Sequence, residues 1–130
     1  MKSRTAWITQ QNHKEITIDS LSDFVKPGSR IFLGTGCSEP LMFSKELIKE
    51  KYRWFDCHLI HFLTLSDFQY FSEAFPTHFR HNTLSIIGSQ KVREAVNSGK
   101  SDFTPVKSSE IPGLLEQGAI PIDLAFLQVS

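Results

Sequence analysis

What the chain lacks narrows its character first. Only two of its 130 residues are cysteine, too few for the disulfide framework of a small secreted domain. A reducing, cytoplasmic setting is therefore expected. Neither sign of charge is in excess, because fourteen Lys and Arg balance fourteen Asp and Glu. A neutral chain lacks the electrostatic footprint of a binder of nucleic acid or of anionic membrane, so neither is expected as a partner. No apolar run is long enough to cross a bilayer, and no apolar stretch follows Lys2 and Arg4 as a signal peptide would require. Internal repeats, linkers and low-complexity tracts are absent as well. What the chain has in quantity is phenylalanine, eleven against two Trp and two Tyr. So much aromatic area must be buried in a core or covered by another domain.

The densest local signal is Arg30-Ile-Phe-Leu-Gly-Thr-Gly-Cys-Ser-Glu-Pro40. Ile31 to Leu33 reads as a buried strand, and Gly34 and Gly36 permit a sharp turn that a ligand can approach closely. Ser38 reads as a helix N-cap and Pro40 as a first-turn residue. Bare backbone beside a helix start suits an anionic or polar ligand. The third glycine of a dinucleotide fingerprint and the Gly-Lys-Ser/Thr of a P-loop are both missing.

Around this turn the periodicity predicts alternating strands and helices. Residues 1–18 form an N-terminal arm, and residues 19–130 the domain. Asp19 caps a short helix carrying Leu21, Phe24 and Val25, ended by Pro27-Gly28. After the glycine turn, Leu41, Ile48 and Tyr52 define a helical stripe, with Phe43 and Leu47 beside it. Cys57 to Leu63 is a second strand, 66–80 an irregular aromatic stretch, and Leu84 to Ile87 a third strand. A helix with Val92, Ala95 and Val96 on one face stops at Gly99. A weak strand from Phe103 to Val106 follows, then a helix capped by Ser109 and stopped by Gly118, then a strand from Ile122 to Val129. This order predicts an α/β fold, an open parallel sheet with helices on both faces.

Six separated blocks in this order resemble one family. They are Val25–Pro40, His61–Leu65, Phe79–Asn82, Val92–Val96, Ser109–Pro112 and Ile122–Ser130, and the resemblance that rests on them runs from about Trp7 to Ser130. The chain resembles the N-terminal domain of the acetyl-CoA hydrolase/transferase family, a class I CoA-transferase type. Two details depart from the family pattern: Ser66 stands where Gly is frequent, and Thr83 to Lys91 is slightly long.

The resemblance implies two similar α/β halves with the active site in the cleft between them. Coenzyme A or acyl-CoA is then a substrate, and no bound cofactor is expected. A glutamate in the C-terminal half attacks the thioester, and an acyl-glutamyl anhydride and a glutamyl-CoA thioester form in turn. That glutamate is not expected in this chain, which reads as an N-terminal half that is inactive alone. Its partners would be acyl-CoA, a small carboxylate, and a C-terminal half or second subunit, with a homodimer as a further option. The alternative is a non-catalytic binding or regulatory module on the same fold.

On this reading Gly34, Thr35, Gly36, Cys37 and Ser38 form the substrate loop. Thr64, at the end of the second strand, and Arg80, a partner for phosphate or carboxylate, complete the binding candidates. No residue of the chain is assigned a catalytic role. Glu39 and Glu110 read as first-turn acids that favour the helix dipole. Cys37 is also weighed as the nucleophile of a cysteine hydrolase, with a histidine from 78–81 as its base. His58 and His61, three apart on a strand, point to opposite faces and cannot share a metal. His81 and Asn82 read as braces of the cleft wall. No metal site is expected.

Overall fold

The computed structural model describes residues 17–49, 53–66 and 79–129. Five parallel strands, β1 (Arg30–Leu33), β2 (Cys57–His61), β3 (Phe79–Thr83), β4 (Asp102–Phe103) and β5 (Leu124–Phe126), form one open sheet. Their order is β4-β3-β2-β1-β5. Among the described residues three α-helices lie between the strands: α1 (Leu41–Lys49), α2 (Gln90–Asn97) and α3 (Ile111–Glu116). A 3₁₀ turn over Ile18–Asp23 precedes β1, and a second over Gly36–Ser38 follows it.

The period-two alternation of strands divides the core between the two faces. Ile31, Leu33, Cys57, Leu59 and Phe79 point one way and pack against Phe43 and Leu47 of α1, Val92 and Ala95 of α2, and Leu21 and Val25. Ile60 points the other way and meets Ile111 of α3, Leu84 and Ile120, with Phe32, Leu114 and Leu115 beside them. Helices thus cover both faces, as strand-helix alternation requires.

Several elements differ from expectation, for physical reasons. The third strand is Phe79–Thr83, and Leu84 to Ile87 is a loop in which Leu84 is buried while Ile86 and Ile87 are exposed. The inward positions of β3 are Phe79, His81 and Thr83, so polar residues fill core sites and mask the strand signal. On α1 the buried face is Phe43, Ser44 and Leu47, and Leu41 points outward. Tyr52 and the greater part of the aromatic stretch lie outside the described residues. So does the arm up to residue 16, while Ile18 already belongs to the first 3₁₀ turn. The weak fourth strand shortens to Asp102–Phe103, and Pro105, which lacks an N–H, lies just beyond it. The last strand covers only Leu124–Phe126 of the expected run.

Candidate functional site

The strand order reverses at the β1–β5 pair, since β2, β3 and β4 lie on one side of β1 and β5 on the other. Open α/β sheets bind ligands at such a point, beyond the carboxyl ends of the strands. Here that position is occupied by Gly34 to Ser38.

The turn is built by close backbone approach. The Gly34 N–H donates to Phe126 O at 2.8 Å, and the Gly36 N–H to Leu63 O at 2.9 Å. The Ser38 carbonyl accepts from the Gln128 N–H at 3.0 Å, so one turn is tied to the exits of both neighbouring strands. A Cβ at Gly34 would collide with the Ser38 carbonyl, and Gly36 takes a φ of 55°. These are two separate demands for glycine, the first for space and the second for backbone conformation.

Of the five loop residues, Gly34, Gly36 and Ser38 spend their N–H groups inside the protein, Ser38 on Thr35 O. Among the described residues, the Thr35 and Cys37 N–H groups meet no internal acceptor. Ser38 is not a helix cap. It closes the 3₁₀ turn, and an extended Glu39 and Pro40 separate it from α1. Cys37 is exposed, and a small hollow of about 420 Å³ lies between Cys37, Ser38, Gln128 and Val129. A larger apolar groove of about 650 Å³ runs behind it, lined by Leu21, Pro40, Leu41, Met42, Phe126 and Leu127. Its floor includes a stacked ring pair, Phe43 and Phe126, with centroids 3.7 Å apart.

Glu39 is the residue whose position the sequence did not disclose. It is buried, and its carboxylate bonds across to the loop after β2. Oε1 accepts from the Leu65 N–H at 2.7 Å and Oε2 from the Ser66 N–H at 3.2 Å. The first-turn dipole role is therefore replaced by a bridge to the exit of β2. The only sequence signal available was an acid placed before a proline, and local spacing says nothing about a partner 26 residues away.

Thr64 lies three residues past β2 and is buried, its hydroxyl 2.7 Å from His61 Nδ1. It faces inward rather than into the hollow. Burial pushes the His61 imidazole down to about 4, so it is neutral at physiological pH. His61 and His81 meet edge to face at 6.4 Å inside the sheet layer. His58 is also lowered, chiefly by burial. Burial likewise raises the Cys57 thiol to about 11, which makes it inert as a nucleophile.

Arg80 stands apart from the other candidates. It is the second residue of β3, paired in register with His58 near the amino ends of the strands, and it forms a 3.1 Å ion pair with Asp56. The turn and Thr64 lie at the opposite rim. Asn82 accepts from Thr104 Oγ1 at 3.0 Å, and Glu110 Oε2 accepts from the Lys107 N–H at 3.3 Å. Ser109 is not a cap; Glu110 occupies that position, without a capping side-chain bond. His81 is buried in β3 and His78 lies outside the described residues, so no Cys37–His pair is formed among those described. The described residues hold no cluster of three His, Cys, Asp or Glu suited to a metal. None of their helices is long and apolar enough to cross a membrane.

Comparison with known proteins agrees with this architecture. The chain is 31% identical over 124 residues to the 4-hydroxybutyrate coenzyme A transferase of Clostridium kluyveri, covering 95% of this chain and 28% of that protein. It is 32% identical over 118 residues to a succinyl-CoA:acetate/propanoyl-CoA:succinate CoA transferase of Fasciola hepatica, covering 86% of this chain and 23% of that one. The chain thus spans about a quarter of the length of these relatives. The crystal structure of RipA from Yersinia pestis superposes with a TM-score of 0.66 at 16% identity, over 85% of this chain and 27% of that chain, and shows the shared fold. The model of the acetyl-CoA hydrolase/transferase N-terminal domain matches residues 1–130, and the chain belongs to that family.

Proposed function

We propose that this chain forms one wall of a cleft that holds an acyl-CoA and a small carboxylate. The reaction served is transfer of CoA between carboxylic acids, or hydrolysis of acetyl-CoA. The observation that carries this reading is the pair of uncommitted N–H groups at Thr35 and Cys37, fixed at the point where the strand order reverses. Two N–H donors held by surrounding hydrogen bonds are a preorganised seat for a carboxylate or a thioester oxygen. The names of both curated relatives describe CoA transfer, which supports this substrate class.

The nucleophile belongs elsewhere. Glu39 is the buried carboxylate nearest the turn in sequence, and both of its oxygens already accept backbone N–H groups. A carboxylate so engaged is a poor attacking group. We assign the attacking glutamate to a second half or subunit, in line with the fraction of the relatives' length that this chain spans. Exposed Leu65, Ile87 and Leu127 lie past the carboxyl ends of β2, β3 and β5, where such a half would cover them.

The test is an amide-resolved NMR titration of the full chain with acetyl-CoA, beside a thioesterase assay. The Thr35 and Cys37 amide signals should move on titration, with no turnover above the uncatalysed rate. Amide signals unmoved at millimolar acetyl-CoA would remove the cleft assignment. Steady hydrolysis by the pure chain would remove the assignment of the nucleophile to another half.

A further inference from the structure

We propose that Glu39 is the positioning residue of the glycine turn, holding the exit of β2 at the distance that leaves the Thr35 and Cys37 N–H groups open. The inference deepens the cleft reading and rests on it for its functional meaning. Five ties converge on Leu63 to Ser66. The Gly36 N–H donates to Leu63 O at 2.9 Å, and the Ser89 N–H to Thr64 O at 2.8 Å. The Glu39 carboxylate receives the Leu65 N–H at 2.7 Å and the Ser66 N–H at 3.2 Å. Thr64 closes the set through its 2.7 Å bond to His61.

Among the described residues, Glu39 alone joins this loop to the glycine turn through a side-chain hydrogen bond. It immediately follows the 3₁₀ turn, so its carboxylate acts as a strut between the exits of β1 and β2. Among the described residues no cation pairs with it, and its two N–H donors supply the compensation that a buried carboxylate needs. Leu65, whose N–H it holds, is also the residue whose side chain stands nearest to Gly36. Removing the strut orphans two N–H groups, and the loop must move to hydrate them. That movement reaches the turn through the Gly36–Leu63 bond. Thr35 and Cys37 flank Gly36, so their N–H groups lose their fixed aim.

The test compares Glu39→Ala, Glu39→Gln and a control, Lys49→Ala, which removes an exposed ion pair with Glu46 at the far end of α1 from the turn. Amide hydrogen exchange is read at Gly36, Leu65 and Ser66, and acetyl-CoA affinity is measured by calorimetry. In Glu39→Ala all three amides should exchange about tenfold faster or more. Affinity should weaken by about tenfold. Glu39→Gln keeps one acceptor oxygen and should recover part of both losses. Lys49→Ala should leave affinity and Gly36 exchange unchanged. An unchanged Gly36 amide in Glu39→Ala overturns the proposal, as does equal acceleration by Lys49→Ala. Should Glu39→Ala not fold, Glu39→Gln decides by the same amide. Should the unmodified chain bind no acetyl-CoA, the cleft reading fails, and the Gly36 exchange still judges the strut.

Discussion

The two ends of the sheet are held by different physics. At the amino ends backbone bonds such as His58 N–H to Ser29 O are joined by side-chain ties that are exposed ion pairs. Arg30 meets Asp123 at 2.6 Å, with side chains 41% and 40% exposed, and Arg80 meets Asp56 at 3.1 Å, with 71% and 52% exposed. At the carboxyl ends the fastenings are backbone hydrogen bonds, a buried carboxylate and a buried neutral imidazole. Exposed ion pairs tolerate replacement because water takes over either partner. Buried hydrogen bonds do not, because an abandoned group has no water to turn to. The difference marks the carboxyl rim as the end where geometry is specified.

The strongest way to break this contrast is Gly34→Ala. The new methyl would meet backbone at Ser38 and the Leu127 side chain at 3.2 Å, so the turn itself must shift. A loss of about 3 kcal/mol or more is expected in urea unfolding. A change below about 0.5 kcal/mol would mean the turn is not tightly built.

The next effect is a pH dependence. The unfolded state binds a proton at His61 near pH 6.5, while the folded state resists it down to about 4. Stability due to this group is complete above pH 6.5 and is lost as pH falls through 4. The full loss is on the order of 3 kcal/mol, and His58 adds to it in the same direction. His61→Asn should flatten the slope between pH 6.5 and 4 in urea midpoints. An undiminished slope in that variant would place the acid sensitivity elsewhere.

Thr64→Val keeps the shape and deletes the hydroxyl facing His61, for an expected cost of about 1–2 kcal/mol. At the other rim, Arg80→Ala should cost only about 0.2–1 kcal/mol, less in high salt. Asp123 sharpens the contrast by its own pH window. The Arg30 guanidinium holds its carboxyl down at about 2. The stability it lends is present above the unfolded value near 4 and is lost as pH falls through 2. Asp123→Asn should therefore lower the melting temperature slightly at pH values above about 4 and converge with the unmodified chain below about pH 2.

The sheet was legible where local chemistry and burial agree. Ile31 to Leu33 and Cys57 to His61 are apolar enough to announce strands, and the glycine pair between strand and helix announces the turn. Legibility failed where tertiary partners override local preference. His81 and Thr83 occupy core positions of β3, while the apolar Ile86 and Ile87 sit exposed in a loop, so hydropathy places the strand one element too late. Ser38 has the chemistry of a helix cap, yet α1 begins only at Leu41, three residues further on. Glu39 followed the same logic, since an acid ahead of a helix suggests a dipole partner until the fold brings the Leu65 and Ser66 N–H groups to it. Of the candidate site, the loop residues are contiguous and gather by necessity. Arg80 and Thr64 depend on which end of a strand, and which face, they occupy, and sequence spacing carries neither.

The bonds from Gly34 to Phe126 and from Gln128 to Ser38 also set a timetable. A chain emerging from the ribosome makes residues 34–38 early, yet two of the bonds that shape them wait for residues made some 90 positions later, the sequence separation of the Arg30–Asp123 contact. Closing so long a loop is entropically slow, and contacts of this span form late in folding. The turn is thus completed only when β5 docks against β1. A nascent or truncated chain lacking β5 would hold an α/β core with an unformed turn.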